Sequence, residues 1–182
     1  VDERLRTNQS AKLKGLLQIV EELKSKNPES WRAVIFTGRK ATQDAICAAL
    51  DDAEVSYGRI EGGKARQNRQ TVVDYSQEVP RAHVIVSTDT GAEGLNLQAG
   101  NVLVNYDLPW NPMTVEQRIG RVQRLASKFK NVVIVNLIIA RGPEDRVVAR
   151  LVEKLQVISH SIGDIEAVLQ ATSNSDETSS DS

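Results

Sequence analysis

Four apolar, β-branched runs punctuate the chain: AVIF at 33–36, VIVS at 84–87, VLVNY at 102–106 and VVIVNLII at 132–139. They are continuous rather than alternating, and a continuous apolar run needs a strand covered on both faces, as in a parallel sheet. VSYGRI at 55–60 supplies a fifth, shorter strand signal. Helical patterns lie between the strands. Ser10 stands as an N-cap before KLKGLLQIVEELK, and ATQDAICAALDD, KARQNRQTVVDYSQ, TVEQRIGRVQRLA and PEDRVVARLVEKLQVIS follow, the last with Pro143 in its first turn. IGDIEAVLQ at 162–170 reads as a closing helix. The alternation predicts one α/β domain over 1–170, a doubly wound, mainly parallel sheet flanked by helices on both faces. The acidic, Ser-rich tail at 171–182 offers no core-forming residues and is expected to be disordered.

In such a sheet, ligands bind at the carboxyl ends of the strands. That directs attention to four loops: TGRK after the first strand, EGGK after VSYGRI, STDTGAEG after VIVS, and DLPWNP after VLVNY. Charge gives no global guide to the ligand, because 23 basic residues face 24 acidic ones, so a polyanion would have to meet a local patch. The 182 residues suit one domain, and no apolar run reaches the ~18 residues of a membrane span. A single cysteine, Cys47, and the lack of a basic-then-apolar leader fit a reducing cytoplasm. The first residue is Val and no self-contained catalytic constellation is visible, so the chain is expected to be a segment of something larger.

EQRIGRVQR sets Arg118, Arg121 and Arg124 three residues apart. At about 100° per helical residue, Gln117, Arg121 and Arg124 fall within about a 60° arc, whereas Val115, Ile119 and Val122 cluster opposite them. Arg118 lies near the apolar side and is expected to be structural. None of the three arginines has a carboxylate three or four residues away, since Glu116 is two residues from Arg118. A solvated charged face usually carries such partners, so two readings stand: a solvated face, or guanidinium groups that await an external anion. Gly120 costs about 1 kcal/mol relative to alanine in a helix interior, which makes sense where something approaches the backbone closely.

QRIGRVQR resembles the motif, Gln or His followed by RxGRxxR, that supplies arginine fingers in superfamily-two helicases. STDTGAEGLNLQAGNVLVNYDLPWNP at 87–112 is similar to the segment just upstream in that superfamily. Its GAEGLNL and DLPWNP pieces look most like the Swi/Snf-type and bacterial RNA-polymerase-associated translocase branch. AVIFTGRK resembles the lobe-opening strand and YGRIEGGKARQNRQ the next strand and helix, so the likeness runs over about residues 10–160. Two positions depart from the Swi/Snf pattern: Asp89 stands where Arg is usual, and VQRLAS replaces a His-Arg-Ile-Gly-Gln-like string.

The resemblance implies a RecA-like fold and the C-terminal lobe of an ATP-driven motor, with ATP and Mg2+ held by a missing N-terminal RecA-like lobe of the same protein. It implies Arg121 and Arg124 as arginine fingers, and Gly94, Asn96 and Gln117 beside the nucleotide. It implies nucleic acid, DNA rather than RNA, along Thr37, Gly38, Arg39, Gly62, Gly63, Thr88 and Asp89. Bland readings stand beside these. Thr37 to Arg39, Thr88 and Asp89 could be ordinary caps, Asn96 a plain Asx-turn, and Trp110 is expected to pack between lobe and helix rather than stack on a base. A non-catalytic binding module of the same fold is one alternative. Another is a self-contained NTPase, because Gly58 to Ala65 satisfies GxxxxGK between a strand and a helix, with Asp107 as its acidic partner. Against that stands Ala65, which lacks the hydroxyl that a P-loop places on magnesium. His83 and His160 have no Cys or carboxylate spacing around them for a metal site.

Overall fold

The computed structural model describes residues 2–26, 28, 30–123, 129 and 132–138, with side chains from residue 11 onward. The predicted helices at PEDRVVARLVEKLQVIS and IGDIEAVLQ, the tail and His160 lie outside the described residues. Helix α1 (Asp2–Lys26) leads to strand β1 (Ala33–Thr37), helix α2 (Lys40–Asp52), strand β2 (Tyr57–Ile60) and helix α3 (Ala65–Tyr75). Strands β3 (Val84–Thr88) and β4 (Val102–Asn105), helix α4 (Pro112–Val122) and strand β5 (Val133–Asn136) complete the order.

The five strands form one sheet in the order β2-β3-β1-β4-β5, and every pairing is parallel. All residues of β1, β3 and β4 are buried, as their continuous apolar runs require. The pleat divides the core in two. Ala33, Ile35, Val84, Val86, Val102 and Val104 face Leu16 and Val20 of α1 and Ile46, Cys47 and Leu50 of α2. Val34, Phe36, Ile85 and Leu103 face Tyr75 of α3 and Val122 of α4, with Ala92, Leu97 and Ala99 from the loop after β3. Helices therefore cover both faces. VSYGRI does contain a strand, at Tyr57–Ile60.

Two predicted boundaries shift. Ser10 is not an N-cap, because α1 continues through it from Asp2, so a local capping signal yields to a longer helix. Helix α4 starts on Asn111, whose side chain accepts from Met113 N, with Pro112 in the first turn. It stops at Val122 instead of running on to Ala126, and Gln123 is already extended. In a continuing helix the Arg121 carbonyl would take the amide four residues on; here it accepts from Leu97 N at 3.0 Å.

Candidate functional site

Strand register decides where the loops meet. Phe36 stands beside Ser87 on one side and Asn105 on the other, and Ser87 stands beside Ile60, so four chain segments leave the sheet along one edge. Side chains tie these segments into a continuous rim. Asp107 Oδ2 accepts from the Thr37 hydroxyl at 2.5 Å and from Gly38 N at 3.4 Å, joining the loop after β4 to that after β1. Asn68 Nδ2 donates to Glu61 O at 2.7 Å and reaches Gly91 O at 3.4 Å, while Glu61 N donates to Asn68 Oδ1. A Cβ on Gly91 would stand 2.8 Å from Ile60 O, so only glycine allows this approach of the β2 and β3 loops. Neither Asp107 nor Asn68 stood out in the sequence as a clamp, because their partners lie 70 and 23 residues away.

Arg118 is the keystone of the rim. Its side chain is 2% exposed and makes four hydrogen bonds within the lobe. Nε and Nη2 grip both Asp89 oxygens at 2.7 and 2.9 Å, and Nη1 reaches Asn105 Oδ1 and Asp107 O, both at 2.9 Å. The guanidinium also sits 5.3 Å from the Phe36 ring centroid. A planar fork meeting a carboxylate side-on is the strongest geometry open to an exposed-to-buried pair. The structural role expected for Arg118 is what its surroundings show.

Arg121, one turn later, is treated differently. Its side chain is half-buried, and among the described residues it has no carboxylate partner. Gln117, four residues earlier, is exposed. The bond from Leu97 N to Arg121 O brings the loop holding Gly94 and Asn96 to the end of α4. Gly94 is exposed with φ +73°, a left-handed turn that favours glycine. Asn96 Oδ1 accepts from Gln98 N at 3.1 Å, the Asx-turn named among its readings, and the residue remains exposed. Arg124 lies outside the described residues, and α4 ends before it. The donor set gathered here is a guanidinium, two amides and an open glycine backbone.

The remaining rim residues divide by exposure. Thr37 and Thr88 are buried and cap their own loops: Thr37 Oγ1 accepts from Arg39 N at 3.4 Å and Thr88 Oγ1 from Gly91 N at 3.2 Å. Gly38, Arg39, Gly62 and Gly63 are exposed, and Gly63 has φ +78°. Asp89 has its oxygens on Arg118, so what it presents outward is backbone and a side chain 35% exposed. Gly62 adjoins the β3 loop, where a Cβ would stand 3.2 Å from Thr90 Oγ1.

The GxxxxGK segment folds as strand, turn and helix, but its charged groups face each other. Lys64 bonds Glu61 Oε2, and Asp107 is occupied with Thr37 and Gly38. Trp110 departs from expectation. It is 75% exposed instead of packed, and Met113 beside it is 50% exposed. His83 is engaged with Trp31, its ring stacked at 5.1 Å and Nδ1 2.9 Å from Trp31 O.

A five-stranded, all-parallel sheet with helices on both faces is a RecA-like α/β fold. The chain belongs to the helicase conserved C-terminal domain family, whose model matches residues 11–126. It is 33% identical over 164 residues to the uncharacterized ATP-dependent helicase YqhH of Bacillus subtilis strain 168, covering 90% of this chain and 28% of YqhH. The RNA polymerase-associated protein RapA of Vibrio vulnificus strain YJ016 is 32% identical over 112 residues, covering 60% of this chain and 11% of RapA. The pre-mRNA-processing ATP-dependent RNA helicase PRP5 of Meyerozyma guilliermondii is 27% identical over 160 residues, 88% of this chain and 18% of PRP5. Among solved structures, the C-terminal part of the Fun30 ATPase domain superposes with TM-score 0.67 at 21% identity, over 76% of this chain and 44% of that one. The chain thus spans less than a third of the length of these three relatives. No helix among the described residues is long and apolar enough to cross a membrane.

Proposed function

We propose that this chain is the C-terminal motor lobe of an ATP-dependent nucleic-acid helicase or translocase that works on DNA in the cytoplasm. In this reading ATP and Mg2+ are held mainly by an N-terminal RecA-like lobe of the same protein, and Arg121 and Arg124 reach the nucleotide across the cleft. Bound ATP supplies the phosphoryl group that passes to water. This lobe's part is to place cationic charge where negative charge grows, with Gly94, Asn96 and Gln117 lining the approach. The observation that carries the reading is the contrast within one helix: Arg118 makes four hydrogen bonds within the lobe, two of them to a carboxylate, whereas Arg121, three residues on, has no acidic partner among the described residues. A guanidinium left in this state suits an anion from outside the lobe.

The rim supplies the second half of the motor. The exposed backbone of Gly38, Gly62 and Gly63, the guanidinium of Arg39 and the partly exposed Asp89, on loops capped by the buried Thr37 and Thr88, suit a sugar-phosphate chain gripped without regard to sequence. Trp110 stands exposed at the same edge and offers an aromatic face to a base or sugar. Opening and closing of the cleft would move this rim along the strand.

Fluorescence anisotropy with labelled DNA and RNA of mixed sequence tests the reading. We expect weak binding by the chain whose log–log salt slope counts the phosphates contacted, about 0.9 per phosphate on duplex DNA. Arg39→Ala should lower that slope, Trp110→Ala should weaken binding with the slope retained, and DNA should bind more tightly than RNA. Tight binding to a single sequence that survives high salt would contradict the backbone grip, and preference for RNA would overturn the choice of DNA.

A further inference from the structure

One cluster of charge on the rim has no part in the reading above. Lys40 from the start of α2, Arg59 from β2 and Lys64 from the residue before α3 all converge on Glu61. Lys40 Nζ and Arg59 Nη2 each stand 2.7 Å from Glu61 Oε1, and Lys64 bonds Oε2. Asp44 is a second, looser anchor, bonded to Arg59 and 3.6 Å from Lys40. The carboxylate is nearly buried, and the two lysines are exposed. Glu61 is anchored through its backbone to the Asn68 amide, and its side chain is 11% exposed, whereas those of Lys40 and Lys64 are 68% and 56% exposed. The bonds from Lys40 and Lys64 also hold the Glu61 carboxyl down to about 2, so it is anionic at any working pH.

Taken singly, the bonds from the two exposed lysines add little to folding stability. The position of the cluster points to a further use. The cluster borders the Gly62–Gly63 turn on the strand-end rim, and three cations against two carboxylates leave it a net charge of +1. We infer that Glu61 is a built-in counter-anion of the nucleic-acid rim. It occupies the place of a backbone phosphate in the free lobe and releases Lys40 and Lys64 to the phosphates of an arriving strand. Carboxylate and phosphate oxygens accept the same charge-assisted bonds, so the exchange replaces like with like. A strand is then held only by the difference between the two, which keeps the grip weak enough to be released at every step. This inference rests on the nucleic-acid reading of the rim.

Glu61→Gln keeps the shape and the backbone bonds to Asn68 and raises the net charge of the cluster from +1 to +2. Anisotropy titrations of the wild-type chain and this variant with labelled DNA, between about 50 and 200 mM salt, read the effect. The variant should bind more tightly, with a salt slope steeper by about one phosphate, so that its advantage shrinks by about threefold across that range. Adding Lys40→Met and Lys64→Met to it should remove the gain. Equal affinity and slope in Glu61→Gln, with wild-type binding intact, overturns the counter-anion role and leaves the rim reading standing. Absence of binding in both proteins overturns the rim reading and the role together. Melting curves establish that Glu61→Gln is folded. If it is not, Lys40→Met with Lys64→Met in the otherwise unchanged chain must lower the slope by about two, and an unchanged slope overturns the proposal.

Discussion

Arg121→Ala in the full-length enzyme is expected to lower kcat for ATP hydrolysis by about 10³-fold, while ATP affinity and melting temperature stay nearly unchanged. The size follows from the role: an arginine that stabilises charge mainly in the transition state is worth about 10³ or more in turnover, roughly 4 kcal/mol of activation free energy. The small effect on stability follows from the structure, where Arg121 is half-buried and has no ion pair among the described residues to lose. Arg124→Ala is expected to behave alike, on the strength of the sequence resemblance. Single-turnover rates beside equilibrium nucleotide binding separate the two quantities. A variant that loses ATP affinity but retains its single-turnover rate would refute the arginine-finger role.

Arg118→Ala should have the opposite profile. It removes a buried guanidinium and leaves Asn105 Oδ1 and the Asp107 carbonyl without that donor, with both Asp89 oxygens unpaired. Breaking a buried pair from one side costs about 3 to 5 kcal/mol. Because Asp89 is 35% exposed and water can take up part of its charge, the low end, about 3 kcal/mol, is expected. For a domain of this size that lowers Tm by roughly 6 to 12 °C. Arg118→Lys should recover only part of the loss, since a lysine keeps the charge but cannot form the planar fork. Differential scanning calorimetry of the three proteins decides it. Unchanged melting of Arg118→Ala together with abolished hydrolysis would reassign Arg118 to the chemistry.

The contrast between these two arginines was legible in the sequence, because three-residue spacing on a helix puts Arg118 toward Val115 and Val122 and Arg121 away from them. The partner of Arg118 was not legible: Asp89 lies 29 residues earlier and meets it only when β3 and α4 are docked. The strands were readable for a local reason, since an apolar β-branched run is the same signal wherever the sheet places it. Order and register were not, because β3 and β4 reach opposite sides of β1 through contacts more than 50 residues apart. Ser10 failed as a helix start because capping chemistry is local and α1 is longer than the local signal. Trp110 failed because aromatic size favours burial, whereas the ring stands 75% exposed on the loop after β4, a placement that no local signal carries. Of the cations around Glu61, Arg59 and Lys64 are its near neighbours in sequence, but Lys40 lies 21 residues away and its place in the cluster was not legible.

Steady-state ATP hydrolysis by the chain alone, compared with the same chain joined to its N-terminal lobe, tests the motor-lobe reading most directly. The chain alone is expected to stay at background and to be unaffected by Lys64→Ala, because Ala65 offers no hydroxyl for magnesium. Joined to the first lobe, it should hydrolyse ATP in a manner that Arg121→Ala suppresses. Robust hydrolysis by the chain alone, abolished by Lys64→Ala, would contradict the account and make the Gly58–Ala65 segment the nucleotide site of a self-contained enzyme.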